Sequence, residues 1–127
     1  LCFDAFNRSV EVWNGAIPVA VSLDLDGRPL RRFPPANLPL GLDDGEQPPR
    51  TELFQWQQEG QFFACTDGLL EAPFDGHVTG EEALDALLAS VPPAGRLQGV
   101  RGRMEAVFLE TPPHDDVSAM LVDVRKL

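Results

Sequence analysis

Alternating apolar and polar positions dominate the first half of the chain, a pattern that is typical of β-strands with one buried face. The pattern predicts strands over residues 1–6, 10–13, 19–25, 28–33, 51–56 and 61–66. Polar residues 7–9 and the Asp26-Gly27 pair interrupt this alternation, and short interruptions of this kind favour hairpin turns.

The second half of the chain changes to helical spacing. Apolar side chains recur every three or four positions over residues 81–91, which predicts an amphipathic helix with Thr79 as the candidate N-cap. Residues 94–109 predict a second, poorer helix, which we expect Gly99 and Gly102 to interrupt.

A final apolar segment at residues 117–124 predicts one more strand, while residues 34–50 contain five prolines and predict an extended loop. Several strands followed by helices and a last strand are typical of an α+β domain with an antiparallel sheet. We therefore predict the α+β class, with two helices packed on one face of the sheet.

Composition limits the classes of partner. The chain has 127 residues with 43% hydrophobic content, which suits one domain, and a formal net charge of −10. Such a surface repels nucleic acids and anionic membranes, so we expect neither as a partner. Cys2 and Cys65 lie far apart in apolar runs, which indicates reduced core thiols in a cytoplasmic protein.

Three aspartates flank two of the predicted strands. Asp67 follows one strand, and Asp115 with Asp116 precedes the last one. If these strands are antiparallel neighbours, Asp67 and Asp115 converge at one sheet edge, where a cation would relieve their repulsion. Aspartate oxygens favour Mg²⁺ or Mn²⁺, and Gly68 permits a tight turn there. The alternative is that Asp67 caps a turn and that Asp115 and Asp116 belong to a solvated loop.

Two histidines are further candidates. His114 adjoins Asp115 and could contact a substrate phosphate or donate a proton, and His77 follows the Asp67 segment. In both cases an ordinary surface histidine is the alternative.

Four short motifs occur in a recognisable order. They are NGAIP at residues 14–18, LPLG at 38–41, TDGLLEA at 66–72 and DDVS at 115–118. Together they resemble the C-terminal half of the type 2C metal-dependent Ser/Thr protein phosphatases, in the SpoIIE-like branch. The resemblance covers almost the whole chain, and it implies an antiparallel β-sandwich flanked by α-helices. It also implies that residues 1–127 are the C-terminal portion of one phosphatase domain whose N-terminal portion is absent.

The resemblance implies roles for the acidic residues. Asp67 and Asp115 look like ligands of a catalytic metal pair, while Asp116 supports that site or an outer ion. Two Mn²⁺ or Mg²⁺ ions would activate a water that attacks the phosphorus of phosphoserine or phosphothreonine in line. The implied substrate is a small regulatory phosphoprotein in bacterial signalling, of the anti-sigma-factor antagonist type.

The sequence also departs from the family. The further metal ligands that members carry in their N-terminal half are missing, and the histidine of the usual Asn-x-Gly-His-Pro pattern is replaced, since Ile17 precedes Pro18 here. We therefore expect the chain alone to bind metal weakly and to be inactive. Two alternatives stay open, a phosphoprotein-binding pseudophosphatase and a purely structural domain. An incomplete sheet would also expose an edge that favours pairing with another chain, including a homo-oligomer.

Overall fold

Two antiparallel sheets form the centre of the protein. The computed structural model describes residues 1–42, 45, 48–74 and 80–125. Within these ranges the strands are β1 (Cys2–Asp4), β2 (Ser9–Val12), β3 (Val19–Leu23), β4 (Pro29–Arg32), β5 (Glu52–Gln55), β6 (Gly60–Cys65) and β7 (Ala119–Val124). The helices are α1 (Asp67–Leu70), α2 (Glu81–Ser90) and α3 (Arg96–Glu110), with a 3₁₀ turn at Pro93–Gly95. The predicted α+β class is confirmed.

The strands divide into a three-stranded sheet in the order β1-β2-β5 and a four-stranded sheet in the order β4-β3-β6-β7. β5 and β6 are consecutive in the sequence but lie in different sheets, so the short turn between them crosses the sandwich. One core fills the space between the sheets. It contains Val10, Val12, Ala20, Phe33, Trp56 and Phe62.

A second core lies between the four-stranded sheet and the helices. Its most enclosed members come from β3, β6 and the helices, and they include Val21, Leu23, Phe63, Leu69, Leu84, Leu88 and Val100. β3 is buried at every position because both of its faces are covered. This explains why its sequence is a nearly continuous apolar run.

Helix α3 continues through both glycines that we expected to interrupt it. A Cβ atom at Gly99 would lie 2.6 Å from Cγ1 of Val91, so the absence of a side chain lets α3 approach the end of α2 closely. Tertiary packing therefore outweighs the low helix propensity of glycine here.

Helix α2 begins at Glu81, with Gly80 at its N-cap and a φ of 89° there. Thr79, the expected cap, and His77 lie outside the described residues. Among the residues that the structure describes, no helix is both long enough and apolar enough to cross a membrane.

The two cysteines differ in their environments. Cys65 is buried, as expected, but Cys2 is exposed, so the prediction of two core thiols is wrong for Cys2. The reason is the position of β1, which forms the edge of its sheet and leaves all three of its residues exposed.

A buried arginine connects the helices to the sheet. Arg96 is 1% exposed, and its Nε donates a hydrogen bond to the carbonyl oxygen of Leu88 at 2.8 Å. Its Nη2 donates to the carbonyl oxygen of Leu25 at 2.9 Å, and its Nη1 donates to Oε1 of Gln61. Gln61 Nε2 in turn donates to Oδ1 of Asp123 at 2.7 Å. One guanidinium group thus links α2, the β3–β4 turn and β6.

Replacing this arginine should destabilise the whole fold. Arg96→Met keeps most of the buried stem but leaves three acceptors without their donor, so we expect unfolding free energy to fall by about 3 kcal/mol. Arg101→Met is the control on the same helix, because Arg101 is exposed and forms a surface ion pair with Glu105 at 2.8 Å. That change should cost less than about 0.5 kcal/mol. Urea denaturation measures both, and equal losses would contradict this role of Arg96.

Candidate functional site

Three of the sequence motifs meet at one edge of the four-stranded sheet. Strand β6 pairs antiparallel with both of its neighbours, and Cys65 at its end lies opposite Val19 and Ala119. The NGAIP motif ends at the start of β3, and the DDVS motif leads into β7. Both therefore lie beside the TDGLLEA motif. The antiparallel neighbours that the convergence of Asp67 and Asp115 required are confirmed.

Thr66 fastens the end of β6 to the segment that leads into β7. Its backbone N–H donates to the carbonyl oxygen of Ser118 at 3.0 Å. Its side-chain Oγ1 accepts from the backbone N–H of Ser118 at 3.0 Å and donates to the carbonyl oxygen of Asp116 at 3.1 Å. These three bonds continue the sheet pairing beyond the strands and hold the residues beside Asp67 in register.

Gly68 allows the Asp115-Asp116 segment to pack closely against α1. It is buried, and a Cβ atom there would lie 2.8 Å from the carbonyl oxygen of Asp116 and 3.2 Å from that of Asp115. Contacts at 2.8 Å are too short for a carbon atom, so any side chain would push the Asp115-Asp116 segment away from α1. The backbone carrying Asp115 therefore packs directly on the helical turn that carries Asp67.

The carboxylates themselves lie at the surface. Asp67 is the first residue of α1, and its Oδ1 accepts a hydrogen bond from the N–H of Gly68 at 3.0 Å. Oδ1 of Asp115 accepts from the N–H of Asp116 at 2.7 Å. Asp67, His114, Asp115 and Asp116 are all exposed. The site is an open acidic edge and not a closed pocket.

The carboxylate groups at this edge suit a hard divalent ion, because their oxygens are the ligands that Mg²⁺ and Mn²⁺ prefer. Within the described ranges, however, no three His, Cys, Asp or Glu side chains come together as a metal-binding group. An ion held by Asp67 and Asp115 would need ligands from water, substrate or another polypeptide segment. The metal roles of Asp67, Asp115 and Asp116, and the supporting role of His114, stay predictions.

Negative charge also acts on the thiol next to the site. Burial, together with the smaller effect of the negative charges of Glu81 and Asp67, raises the pKa of Cys65 to about 12. Glu81 was not singled out from the sequence, although an acidic residue in the first turn of α2 is a recognisable signal. The thiol stays protonated at neutral pH, so it is no candidate nucleophile.

Asn14 of the NGAIP motif has a structural role that sequence reasoning missed. The residue is buried, and its Nδ2 donates to the carbonyl oxygens of Ile17 and Phe33, both at 2.8 Å. Its Oδ1 accepts from the N–H of Ile17 at 2.9 Å. The side chain therefore shapes the turn that precedes β3. Asparagine is a common residue at such turns, which is the one signal that could have indicated this role.

Removing the hydroxyl group of Thr66 should loosen the segment that precedes β7. In Thr66→Val the N–H of Ser118 loses its acceptor, and we expect its hydrogen exchange to become about tenfold faster. Thr66→Ser keeps the hydroxyl and serves as the matched control. If exchange at Ser118 is unchanged in the valine variant, the hydrogen bond to Thr66 does not hold this segment in place.

The two thiols should react at very different rates. At pH 8 the raised pKa of Cys65 reduces its thiolate fraction about 1,000-fold relative to a thiol with a pKa of 9.0. Exposed Cys2 should therefore react with a disulfide reagent in the native protein while Cys65 does not, and Cys65 should react once urea unfolds the chain. Rapid native reaction of both thiols would contradict the burial of Cys65.

Comparison with solved structures identifies the architecture. The chain superimposes on the structure described as the SiaA-PP2C domain of Pseudomonas aeruginosa with a TM-score of 0.69 and 16% sequence identity. The match covers 92% of this chain but 47% of that one, so the chain spans about half the length of the solved domain. At this identity the likeness shows the fold alone, and it confirms the predicted phosphatase 2C-like sandwich.

Comparison with known sequences identifies the family. A search of the curated proteins found no significant match. The sequence model described as Stage II sporulation protein E (SpoIIE) matches residues 1–125, nearly the entire chain. The match agrees with the motif order and with the solved fold, and the chain belongs to the SpoIIE family.

Proposed function

We propose that this chain is part of a metal-dependent phosphatase domain that removes phosphate from serine or threonine of a regulatory phosphoprotein. Membership of the SpoIIE family and the PP2C-like fold support a phosphatase-type function. The observation that carries the proposal is the β6–β7 register, because it brings the Asp67 turn and the Asp115 segment to one sheet edge.

In this proposal Asp67 and Asp115 hold the metal, and Asp116 supports Asp115. When bound, Mn²⁺ or Mg²⁺ ions supply a water nucleophile and neutralise charge on the phosphoryl group. Thr66 and Gly68 keep the two carboxylate-bearing segments in register through the bonds and the close approach described above. The exposed position of the carboxylates leaves room for a phosphorylated side chain of another protein.

The charge of the edge explains why a cation is needed. The chain carries a net charge of −10, and three aspartates lie where a phosphate would have to approach. Without a cation, Coulomb repulsion would keep a phosphate dianion away from this edge. Metal binding would thus serve substrate binding as well as the chemical step.

Three arginines of the β3–β4 hairpin, Arg28, Arg31 and Arg32, form a small basic cluster, but their contacts give no support for binding of a substrate phosphate there. Each forms an ion pair with a carboxylate of the same chain. Arg31 lies 2.5 Å from Glu52, and Arg32 lies 3.1 Å from Glu81. Arg28 lies 3.6 Å from Asp26. These arginines are already paired with carboxylates of the chain itself. We therefore place substrate recognition at the acidic edge and assign the substrate to the class of regulatory phosphoproteins in cytoplasmic bacterial signalling.

A phosphoprotein-binding module without turnover is the second candidate function. It is favoured by the small number of ligands at the edge, since the described residues form no group of three metal-binding side chains. Without further metal ligands, the isolated chain would act as such a binding module. The enzyme remains our proposal because Asp67 and Asp115 both stand at the expected edge.

Hydrolysis of a phosphoserine peptide tests the proposal. We expect Mn²⁺-dependent turnover from a form of the protein extended N-terminally through the remainder of the domain, and very little from the 127-residue chain. Asp67→Asn or Asp115→Asn should lower kcat at least about 100-fold, because each removes a charged metal ligand.

Asp26→Asn is the matched control, because Asp26 is an exposed aspartate in the β3–β4 turn, away from the edge. Its activity should stay within about twofold of the wild type. Absence of turnover in the extended form, with the phosphopeptide still bound, would favour the binding module. Metal affinity that is unchanged in both aspartate variants would contradict any role at this edge.

A further inference from the structure

The turn that precedes β3 requires an asparagine followed directly by a glycine. Gly15 is buried, and a Cβ atom there would lie 2.3 Å from Cη2 of Trp13 and 2.9 Å from the carbonyl oxygen of Leu38. Any larger residue would therefore displace the indole ring or the loop backbone. Asn14 is required as well, because its side-chain amide supplies the hydrogen bonds that shape the turn.

An Asn-Gly pair can modify itself without a second reactant except water. The backbone nitrogen of the glycine, after losing its proton to hydroxide, attacks Cγ of the asparagine, and the bond from Cγ to Nδ2 breaks with release of ammonia. Water then opens the resulting succinimide ring at either carbonyl, which leaves aspartate or isoaspartate. Glycine favours the attack, since it has no Cβ atom to hinder the approach of the two reacting groups.

Four hydrogen bonds hold the Asn14 side chain in the folded protein. Its Nδ2 donates to the carbonyl oxygens of Ile17 and Phe33, both at 2.8 Å. Its Oδ1 accepts from the N–H of Ala16 at 3.1 Å and from that of Ile17 at 2.9 Å. The residue is 5% exposed. The reaction converts the planar amide into a ring and expels Nδ2, so these bonds must break and the turn must open first.

We propose that Asn14-Gly15 is a self-modification site that the folded turn keeps unreactive, and that deamidation there irreversibly marks chains in which the turn has opened. The fold itself imposes the reactive pair, because Trp13 packs on Gly15 and the turn needs the Asn14 amide. The proposal does not depend on the proposed function.

The modified residue cannot rebuild the turn. An aspartate at position 14 has no side-chain N–H groups, so the carbonyl oxygens of Ile17 and Phe33 lose their donor and meet a carboxylate oxygen instead. Isoaspartate also lengthens the backbone by a methylene group. The main-chain carbonyl that accepts from the N–H groups of Ala36 and Asn37, both at 3.1 Å, then becomes a carboxylate outside the main chain.

The loss of this turn would extend to the acidic edge. Val19 at the start of β3 pairs with Cys65 at the end of β6, and Asp67 follows in the first position of α1. If the turn no longer positions the start of β3, the end of β6 is held on the β7 side alone. A modified chain should therefore lose order beside Asp67.

Mass spectrometry of the peptide that contains Asn14 measures the reaction, in the protein extended N-terminally through the remainder of its domain. At mildly alkaline pH we expect deamidation to be at least about 100-fold faster in urea than in the native protein, because the turn is open in every unfolded molecule. Asn7 and Asn37 are internal controls, since Arg8 and Leu38 follow them. In urea both should react at least about tenfold more slowly than Asn14.

Gly15→Ala is the matched variant for the unfolded state, where the contact with Trp13 is absent. Its methyl group should slow deamidation of Asn14 in urea at least about tenfold. Equal rates at Asn14 in the native protein and in urea would overturn the protective role of the turn. A rate at Asn14 in urea no higher than at the two control asparagines would overturn the reactivity of the pair.

Asn14→Asp tests the consequence, because it reproduces one product directly. We expect a fall in Tm of about 5 °C or more, since two buried carbonyls lose their donor. Gln58→Glu makes the same change from amide to acid at an exposed position between β5 and β6, and it should leave Tm within about 1 °C of the wild type. A wild-type Tm in the Asn14→Asp variant would overturn the consequence.

Refolding of the wild-type protein keeps the test decisive if Asn14→Asp does not fold. Samples are diluted from urea after increasing times, and the fraction that regains native tryptophan fluorescence is compared with the deamidated fraction. We expect the first to fall as the second rises. Full recovery of deamidated chains would overturn the proposal that the modification is a one-way mark.

Discussion

The buried guanidinium group of Arg96 is the interaction on which the arrangement of layers depends. A sheet and two helices pack by apolar contact, but apolar contact is non-directional and tolerates sliding. Hydrogen bonds from Arg96 to Leu88, Leu25 and Gln61 fix the end of α2, the β3–β4 turn and the start of β6 relative to one another. Each N–H group of this guanidinium needs its acceptor in place, because an unpaired buried donor lowers the free energy of unfolding.

That arrangement determines the geometry of the acidic edge. β6 carries Gln61 near one end and Cys65 at the other, so the strand that is anchored through Arg96 also presents α1 and Asp67. Thr66 and Gly68 then bring the Asp115 segment against this turn. The site is held by backbone contacts and by the Thr66 hydroxyl, while its carboxylates remain exposed.

The sequence predicted the elements better than their packing. Alternation and helical spacing located the strands and α2, and the positions of Asp67 and Asp115 at strand ends predicted their edge correctly. Local patterns could not predict that Gly99 serves a close helix contact, because that depends on where Val91 lies in space. They also could not show that β1 is an edge strand with Cys2 exposed, or that a charged residue such as Arg96 is buried. Such features depend on partners distant in the sequence.

The pairing of β6 with β7 has a consequence for how the chain folds. Cys65 and Ala119 are opposite each other although α1, α2 and α3 lie between them in the sequence. Closing a loop of this length costs about 3.5 kcal/mol of chain entropy, and little compensates for it until the helices have packed on the sheet. During synthesis, moreover, β7 leaves the ribosome last among the described strands. The acidic edge therefore forms late, and in a partly folded chain, whose strands are still unpaired, nothing holds Asp67 and the Asp115 segment together.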